Sequence, residues 1–304
     1  MIDVNNDNRI LVSVVTCSYN DFKNYYKTID SVLNQKYENI EYILSDDGSD
    51  SFDENKIREY IDKNNKKNYS IKIISNKNNI GTVKNVNGAY KLATGKYIVN
   101  LAANDIFYNE NVISDIVDKI EKENATALVT SRIMYDESLV IKDIIPNRKY
   151  ELKIKKLNSK IKKYKKFIMN FIYEMCSGSV LCVKKDYIEK IGYYDENYYL
   201  MEDAPFFADL LYNEKVLLAV DLVSIYYDGA GVSSGTNKTN EKFDKDLNRF
   251  LTEKCIEHIE DFNFFEKRRI LYRKYRHEID ENNKLERIKL IIKYLPEVIY
   301  FKFF

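Results

Sequence analysis

Histidine and paired cysteines are scarce in this chain. Only two histidines occur, His258 and His277, and both lie in the charged C-terminal part. We therefore expect neither a Ser-His-Asp triad nor a histidine-based metal site in the main body, so acid–base chemistry there must rest on carboxylates. The four cysteines form no C-x-x-C pair. Scattered cysteines of this kind fit a reducing compartment, where they act as small apolar side chains.

Long apolar runs and a dominant charge are also missing. No uncharged apolar stretch reaches the roughly 18–20 residues that a transmembrane helix requires, so none is expected. Residues 1–9 lack a basic stretch followed by an apolar run, so a secretory signal is not expected either. Charged residues make up 31% of the chain, but the net charge is only +1, which gives no general attraction to nucleic acid. These absences together predict a cytoplasmic protein.

The first hundred residues alternate strand and helix patterns. Short apolar runs predict four strands, and apolar residues at helical spacing between them predict helices. The strands are residues 10–16, 40–44, 71–74 and 97–101. Because strand and helix alternate, we expect an α/β fold with a mostly parallel sheet flanked by helices. In such sheets, ligands bind beyond the carboxyl ends of the strands.

The rest of the chain is less regular and predicts three parts. We place boundaries near residues 110 and 235, which give two halves of one domain, at 1–110 and 111–235, and a helical C-terminal extension at 236–304. The middle part contains a predicted basic amphipathic helix at 148–166. This helix either lies on an anionic membrane surface or packs on the core with a solvated basic face. The aromatic tail at 300–304 is a second candidate for contact with a membrane or a second subunit.

Three polar segments follow predicted strands. They read TCSYN at 16–20, SDDGS at 45–49 and AAND at 102–105. All three fall at the carboxyl ends of predicted parallel strands, so we expect them to converge on one crevice. The aspartates of SDDGS can accept hydrogen bonds from a nucleobase or a ribose, although the same pattern also suits a loop that caps the next helix. No G-x-G-x-x-G follows the first strand, which disfavours a dinucleotide-binding fold.

These segments, taken in order, resemble family 2 glycosyltransferases. The resemblance is carried by VSVVTCSYN, SDDGS, NIGTVKNVNGAYKLATGKYI and AAND, then by IGYYDENYYLMEDAPFF and IYYDGAGVSS, and it covers roughly residues 10–235. It implies an inverting enzyme with the GT-A fold, a Rossmann-like α/β architecture. It also implies a nucleotide diphosphate sugar as donor, most commonly a UDP-sugar. The implied acceptor is a glycan or a lipid-linked sugar of a bacterial surface polysaccharide such as capsule.

The resemblance also implies roles for individual residues. Asp203 matches the catalytic base, and its neighbour Glu202 is the second candidate for that role. The residues that match or adjoin the nucleotide-sugar site are Thr16, Tyr19, Asp46, Asp47, Asn79, Gly81, Lys84, Asn87 and Asn104. Among these, Lys84 is the candidate for offsetting the diphosphate charge if no metal is bound. Glu202 and Asp203 also fit a second interpretation, as acidic residues that cap the helix after them.

The chain departs from the family at the metal motif. The family usually shows D-x-D-D after the fourth strand, whereas this chain has Ala102-Ala103-Asn104-Asp105. Asn104 and Asp105 are the candidate ligands for Mg²⁺ or Mn²⁺, but an amide oxygen is a neutral and weaker ligand for a hard cation. Whether a metal is bound is therefore left open. The departure also supports an alternative, a non-catalytic nucleotide-sugar-binding or scaffold protein.

A second enzyme class is a weaker alternative. Sugar-phosphate nucleotidyltransferases share a similar α/β layout, but they carry a Gly-rich loop with Arg and Lys after the first strand. The segment CSYND lacks these features. The sequence does not name the sugar, the acceptor or the oligomeric state.

Overall fold

The computed structural model of the chain describes residues 10–135, 140–146, 177–227, 241–279, 283–297 and 299. The predicted basic helix at 148–166 and the aromatic tail at 300–304 lie outside these residues. The first half alternates strands and helices as the sequence predicts. Its elements are β1 (Val12–Ser18), α1 (Tyr25–Leu33), β2 (Ile40–Asp46), α2 (Glu54–Asn64), β3 (Ser70–Ser75), α3 (Thr82–Leu92) and β4 (Tyr97–Asn100).

The second half adds five strands and three helices among the described residues. They are β5 (Ile106–Phe107), α4 (Val112–Glu123), β6 (Ala127–Tyr135), β7 (Ile141–Ile145), β8 (Leu181–Lys184), α5 (Lys185–Ile191), α6 (Asp203–Asn213) and β9 (Val216–Tyr227). A 3₁₀ turn at Gly178–Val180 leads into β8. The apolar runs in the sequence did not predict β5, β7 or β9. Strand β9 is the longest of the described strands.

All described strands belong to one sheet with the order β3-β2-β1-β4-β8-β6-β9-β5, and β7 pairs with β6. Strands β3, β2, β1 and β4 are mutually parallel, which confirms the predicted α/β class. Strand β8 runs antiparallel between β4 and β6, so it joins the two halves of the sheet. Because β1 and β2 are buried along nearly their whole length, they have the continuous apolar character of strands covered on both faces.

Apolar helix faces cover this sheet. The buried residues of α1 recur at Tyr25, Ile29, Val32 and Leu33, and those of α4 recur at Val112, Ile113, Ile116, Val117 and Ile120. This spacing of three and four residues places one side of each helix on the core. Burial of these side chains stabilises the fold by roughly 25 cal/mol for each Å² of apolar surface removed from water. The carboxyl ends of β1, β2 and β4 are therefore held rigidly at one edge of the sheet.

The C-terminal extension is helical where it is described, as predicted. It contains α7 (Glu241–Phe250), a π-helical turn (Leu251–Ile256), a 3₁₀ turn (Ile259–Asp261), α8 (Phe264–Glu278) and α9 (Lys284–Lys293). Helices α8 and α9 pack on each other through a small cluster of Tyr272, Leu290 and Tyr294, apart from the main core. Among the described helices, none is long and apolar enough to cross a membrane.

Candidate functional site

The end of β1 lies between two acidic segments that are far apart in the sequence. Strands β1 and β2 are in register through their last residues, with Ser18 opposite Asp46. Cys17, one residue earlier, is close to carboxylates from both halves of the domain. Burial, together with the charges of Glu202 and Asp47, raises the pKa of the Cys17 thiol well above its ordinary value. The carboxyl end of β1 is thus the point where the two predicted acidic motifs meet.

Asp46 holds its own loop together. Its side chain is fully buried and accepts hydrogen bonds from the Ser18 hydroxyl at 3.0 Å, the Ser49 backbone N–H at 2.7 Å and the Ser49 hydroxyl at 2.6 Å. A carboxylate with several donors of this kind fixes a turn, as in the Asx turns common in loops. The polar groups of Asp46 are therefore directed into the SDDGS turn.

Asp47 joins this turn to the start of α3. Its carboxylate accepts hydrogen bonds from the backbone N–H groups of Ile80, at 2.9 Å, and Gly81, at 3.0 Å. Burial raises the pKa of the Asp47 carboxyl, and these two hydrogen bonds oppose the rise. Gly48 permits the contact, because its φ is +76° and a Cβ there would lie 2.5 Å from the Asn78 carbonyl carbon. No larger residue fits between the two loops without displacing backbone.

The other predicted nucleoside-side residues fall into two groups. Thr16 and Asn87 are buried and bonded within the protein: the Thr16 hydroxyl contacts the Tyr42 hydroxyl at 3.1 Å, and the Asn87 amide bonds the backbone of Tyr194. Tyr19 and Lys84 are exposed. Thr16 and Asn87 are thus committed to contacts within the protein, whereas Tyr19 and Lys84 remain exposed to solvent.

Asn104, the first candidate metal ligand, is hydrogen-bonded to a neighbouring loop. It has a positive φ of 71° and is buried. Its Oδ1 atom accepts the Asn24 backbone N–H at 2.7 Å, and its Nδ2 atom donates to the Asp21 carbonyl oxygen at 3.3 Å. Asp105 is half-buried, and its backbone N–H closes the turn onto Ala102.

This donor set does not fit the divalent metal site of the family. The amide oxygen of Asn104 already accepts a strong backbone hydrogen bond, and Asp105 is the single carboxylate of the turn. Hard cations such as Mg²⁺ and Mn²⁺ favour several oxygen ligands, usually including carboxylates. Within the described part of the chain, no group of three histidine, cysteine or acidic side chains could hold a metal ion. These residues therefore do not support a catalytic step on a bound metal.

Glu202 and Asp203 stand at the start of α6. Glu202 is the N-cap residue, but its side chain makes no capping hydrogen bond. Asp203 Oδ2 accepts the Gly178 backbone N–H at 3.0 Å. A Cβ on Gly178 would lie 3.3 Å from Asp203 Cβ and 3.6 Å from a Glu202 carboxylate oxygen. The 3₁₀ turn before β8 therefore packs directly on the acidic pair.

Burial raises the pKa of both carboxyl groups, but their neighbours differ. Burial, and then the charges of Asp203 and Asp246, raise the pKa of Glu202 to about 8. Burial also raises the pKa of Asp203, but the Gly178 hydrogen bond and the positive charge of Arg132 oppose that rise. The two carboxyl groups thus differ in which neighbours oppose the effect of burial: a guanidinium and the Gly178 N–H do so at Asp203. Paired carboxyl groups with separated pKa values are a recurrent arrangement for acid–base chemistry.

Sequence reasoning missed Arg132, which faces the acidic pair from β6. Its guanidinium donates hydrogen bonds to the Ser177 hydroxyl at 2.9 Å and the Ser179 hydroxyl at 3.3 Å. These two serines flank Gly178, so the same turn carries both the Asp203 contact and the arginine contacts. An arginine in a strand has no distinctive local pattern, and only the pairing of β6 with β8 brings it here.

Asp246 of α7 was missed as well. Its Oδ2 atom accepts three successive backbone N–H groups, from Tyr199 at 2.8 Å, Leu200 at 2.7 Å and Met201 at 3.1 Å. These residues immediately precede Glu202 and Asp203. The C-terminal extension therefore fixes the segment that presents the acidic pair. One carboxylate with three backbone donors resembles an anion-binding nest in geometry.

A hydrogen-bonded path connects α3 with Asp203. The Tyr194 and Tyr90 hydroxyls are 3.2 Å apart, and the Tyr90 hydroxyl donates to Asn100 Oδ1 at 2.8 Å. Asn100 Nδ2 in turn donates to the Gly178 carbonyl oxygen at 2.9 Å. Since the Gly178 N–H donates to Asp203, buried polar groups hold α3, β4 and the acidic pair in one arrangement.

Comparison with known proteins shows the family of the chain. Residues 13–192 match the family model described as glycosyl transferase family 2. The chain belongs to glycosyl transferase family 2. The matched segment runs from β1 to the end of α5, so Glu202, Asp203 and Asp246 lie beyond it. Membership of this family does not support the nucleotidyltransferase alternative.

Two relatives match part of the chain. An uncharacterized glycosyltransferase of Haemophilus influenzae is 36% identical over 137 residues, which are 45% of this chain and 40% of the relative. The UDP-Glc:alpha-D-GlcNAc-diphosphoundecaprenol beta-1,3-glucosyltransferase WfaP of Escherichia coli is 35% identical over 111 residues, which are 35% of this chain and 40% of the relative. These matches span less than half of either relative's length.

Solved structures share the fold over nearly the whole chain. S. aureus TarS 1-349 in complex with UDP-GlcNAc superimposes with a TM-score of 0.62 and 15% identity, covering 95% of this chain and 82% of that chain. The mannosyltransferase PcManGT from Pyrobaculum calidifontis, in complex with GDP-Man and Mn²⁺, has a TM-score of 0.57 and 13% identity, covering 84% and 66%. At these identities the likeness shows a common GT-A fold.

Proposed function

We propose that this family 2 glycosyltransferase transfers a sugar from a nucleotide diphosphate sugar to an acceptor hydroxyl, with inversion at the anomeric carbon. The observation that carries this proposal is the position of the Glu202–Asp203 pair. Both residues are half-buried, and the charges of Glu202 and Asp47 both act on Cys17 at the end of β1. An acidic pair opposite a turn at the carboxyl ends of parallel strands suits a ligand held between them.

Asp203 acts as the general base in this proposal. In an inverting transfer, the acceptor hydroxyl attacks the anomeric carbon from the face opposite the diphosphate, and its proton passes to a carboxylate as the bond forms. Such a base contributes about 10²- to 10⁴-fold in rate. Burial raises the pKa of both groups, but the Gly178 N–H and the positive charge of Arg132 oppose that rise at Asp203. Asp203 is therefore the member of the pair that we propose as the proton acceptor.

The donor would lie on the other side of the crevice. The nucleoside would contact the Asp47 turn and the Asn79–Gly81 loop, with Tyr19 at the rim. Lys84, exposed in the first turn of α3, is the candidate to offset the diphosphate charge, because a lysine acts as a compact positive charge toward phosphate. A UDP-sugar is the favoured donor, since TarS is solved with UDP-GlcNAc and the name of WfaP specifies UDP-Glc.

The acceptor in this proposal is a glycan or a lipid-linked sugar. The name of WfaP specifies a diphosphoundecaprenol-linked acceptor, and another Escherichia coli relative, WfgD, carries the same kind of name at 28% identity. By this analogy the chain acts at the cytoplasmic face of a bacterial membrane in the synthesis of a surface polysaccharide. Peripheral contact with that membrane follows from the lipid anchor of the acceptor.

A non-catalytic nucleotide-sugar-binding role is the second candidate. The observation in its favour is the AAND turn, in which Asn104 is committed to the Asn24 backbone. The two roles predict the same donor binding and differ in turnover.

The test combines binding and turnover on the full chain. Thermal unfolding with UDP, GDP and their sugars, each with and without Mn²⁺, reports base preference and metal need, because a ligand of the native state raises its stability by RT ln(1 + [L]/Kd). Hydrolysis and transfer are then measured with the donor that binds. Turnover that Asp203→Asn abolishes supports the enzyme. Donor stabilisation without turnover, even with lipid-linked acceptors, supports the binding role instead.

A further inference from the structure

Helix α9 has two apolar faces, and only one of them packs on the protein. Leu290 and Tyr294 are buried against α8, together with Tyr272. Leu285, Ile288 and Ile292 are 62%, 53% and 66% exposed. At about 100° per residue, their spacing of three and four places them in one row, on the side of the helix opposite Leu290 and Tyr294.

Two more exposed aliphatic residues follow α9. Leu295 and Ile299 lie beyond its last helical residue, Lys293, and they are 45% and 48% exposed. We name Leu285, Ile288 and Ile292 the outer apolar row, and Leu295 and Ile299 come after it in the chain. Singly exposed apolar residues are common on protein surfaces, but a row of large aliphatic side chains along one helix face, with further exposed aliphatic residues just after it, marks an interaction site.

Phe264, at the start of α8, extends this surface. It is 67% exposed. Arg268, one turn further along α8, contacts the Lys293 carbonyl oxygen and pairs with Glu297, so the start of α8 lies beside the end of α9. The phenyl ring is therefore placed at the same end of the hairpin as Leu295 and Ile299.

Basic side chains flank the outer apolar row. Lys289 lies four residues after Leu285 and three before Ile292, and Lys284 lies four residues before Ile288, so both stand beside the row on the helix surface. Both lysines are exposed. The packed partner helix α8, with the sequence FFEKRRILYRKYRHE, is also rich in lysine and arginine. The whole chain has a net charge of only +1, so this basic character is local.

We propose that the outer apolar row and its flanking lysines dock the protein on an anionic lipid surface. A helix with aliphatic residues on one face and lysines beside them lies in the plane of a membrane interface, with its apolar face in the acyl boundary and its cations near anionic headgroups. No described helix is long and apolar enough to span the bilayer, so the contact is superficial. This proposal concerns membrane docking and does not depend on the transfer reaction.

Charge favours a lipid surface over a second copy of the chain. Lys289 forms an ion pair of 2.7 Å with Glu286, but α8 and α9 together carry more lysines and arginines than acidic residues. Pairing two copies through this surface would therefore bring like charges together, which is unfavourable in a close interface. An anionic surface instead pairs with these lysines, each of which contributes about 1 kcal/mol, or roughly fivefold in partitioning.

Vesicle flotation of the full chain tests the proposal directly. Vesicles of phosphatidylcholine alone are compared with vesicles of phosphatidylcholine and phosphatidylglycerol, at low and high salt. We expect binding to the anionic vesicles that high salt weakens. Ile292→Asp should lower partitioning by at least roughly tenfold, because it removes a large aliphatic side chain from the acyl boundary. Leu92→Asp is the matched control, since Leu92 is 43% exposed in the last turn of α3; we expect it to bind as the wild type does.

Lys284→Glu separates docking from helix stability. Lys284 is the first residue of α9, where an acidic residue favours the helix dipole, so this variant should keep the helix and still lose roughly tenfold in partitioning. Light scattering on the same samples reports the mass of each variant. The proposal is overturned if the wild type does not bind anionic vesicles, or if Ile292→Asp binds unchanged. It is also overturned if Ile292→Asp only converts a dimer to a monomer.

Discussion

The Tyr199 hydroxyl donates a hydrogen bond of 2.8 Å to Asn79 Oδ1, across 120 residues of sequence. Tyr199 precedes Glu202 by three residues, and Asn79 belongs to the loop that binds the Asp47 carboxylate. The Tyr199 ring also lies against Gly81, where a Cβ would be 2.9 Å from a ring carbon. The Tyr199 side chain thus connects the segment before the acidic pair with the Asn79–Gly81 loop. Helix α7 contacts Tyr199 twice: Asp246 accepts its backbone N–H, and Lys242 Nζ lies 3.9 Å from the centre of its ring.

Because Tyr199 connects these two segments, we predict that Tyr199→Phe weakens donor binding. The variant keeps the ring on Gly81 but loses the hydrogen bond to Asn79, a bond worth about 0.5–1.5 kcal/mol. We expect the donor KM to rise by roughly threefold to tenfold and kcat to stay within about twofold. Steady-state kinetics with varied donor measure both. Tyr60→Phe is the control, because it loses a comparable bond of 2.7 Å to Asp30 outside the crevice; an equal rise in KM there would contradict a local role for Tyr199.

Asp246 is a positioning residue for the acidic pair, and its removal should lower kcat. Asp246→Ala leaves three backbone N–H groups without their acceptor, so we expect a loss of roughly 2–4 kcal/mol in the free energy of unfolding. We also expect at least a tenfold loss of kcat, because Glu202 and Asp203 follow directly in the chain. Urea unfolding and steady-state kinetics measure the two effects.

Asp246→Asn separates position from charge. The amide keeps an oxygen acceptor but removes a negative charge that helps to raise the pKa of Glu202. We therefore expect much of kcat to return, with the Glu202 titration moved to lower pH than in the wild type. A purely structural role for Asp246 would restore kcat without moving the pH profile.

Asp203→Asn should lower kcat by about 10²- to 10⁴-fold and leave donor binding nearly intact. The reason is that the amide cannot accept the proton of the acceptor hydroxyl, although it still fits against Gly178. Single-turnover kinetics and donor thermal shifts measure the two effects separately. Retention of full turnover would exclude Asp203 as the base.

Glu202→Gln should affect kcat less than Asp203→Asn does, and it tests whether Glu202 carries a proton. A glutamine imitates the protonated acid, so we expect kcat near pH 7 to change little. The pKa of Glu202 is raised in the folded state to about 8. Its stabilising contribution is therefore fully present below the unfolded pKa near 4.5 and is lost as pH rises toward 8. The wild type should lose thermal stability over this window, and Glu202→Gln should lose less. Parallel curves for the two proteins would contradict a raised pKa.

Glu41 provides a stability prediction far from the crevice. Its carboxylate, near the start of β2, accepts hydrogen bonds from the hydroxyls of Ser13 and Thr94 and pairs with Lys72 at 2.6 Å. Burial opposes ionisation, but these partners outweigh it and hold the pKa of Glu41 below its ordinary value. This stability is present above the unfolded pKa and is lost as pH falls through the lower folded pKa. Glu41→Gln should lower the free energy of unfolding at pH 7 by roughly 1–3 kcal/mol and flatten its decline in acid; denaturant titrations at several pH values measure both.

The sequence by itself determined the parallel half of the sheet and the edge at which the crevice lies. The runs in β1, β2 and β4 are apolar along their length because helices cover both faces, and this pattern is readable without any partner strand. Chain direction then places the TCSYN, SDDGS and AAND segments at one edge. Strand β9 was missed because its pairing with β6 and β5 depends on distant residues.

Only the tertiary structure decided what the polar residues of the crevice do. Asp46 and Asp47 are adjacent in the sequence, yet one closes its own turn and the other binds the start of α3. Asn104 is committed to the Asn24 backbone rather than free for a cation. Asp246, more than forty residues after Tyr199, reaches the acidic pair from another helix. Hydrogen bonds and pKa values depend on distance and burial, which the folded chain sets between residues that are remote in sequence.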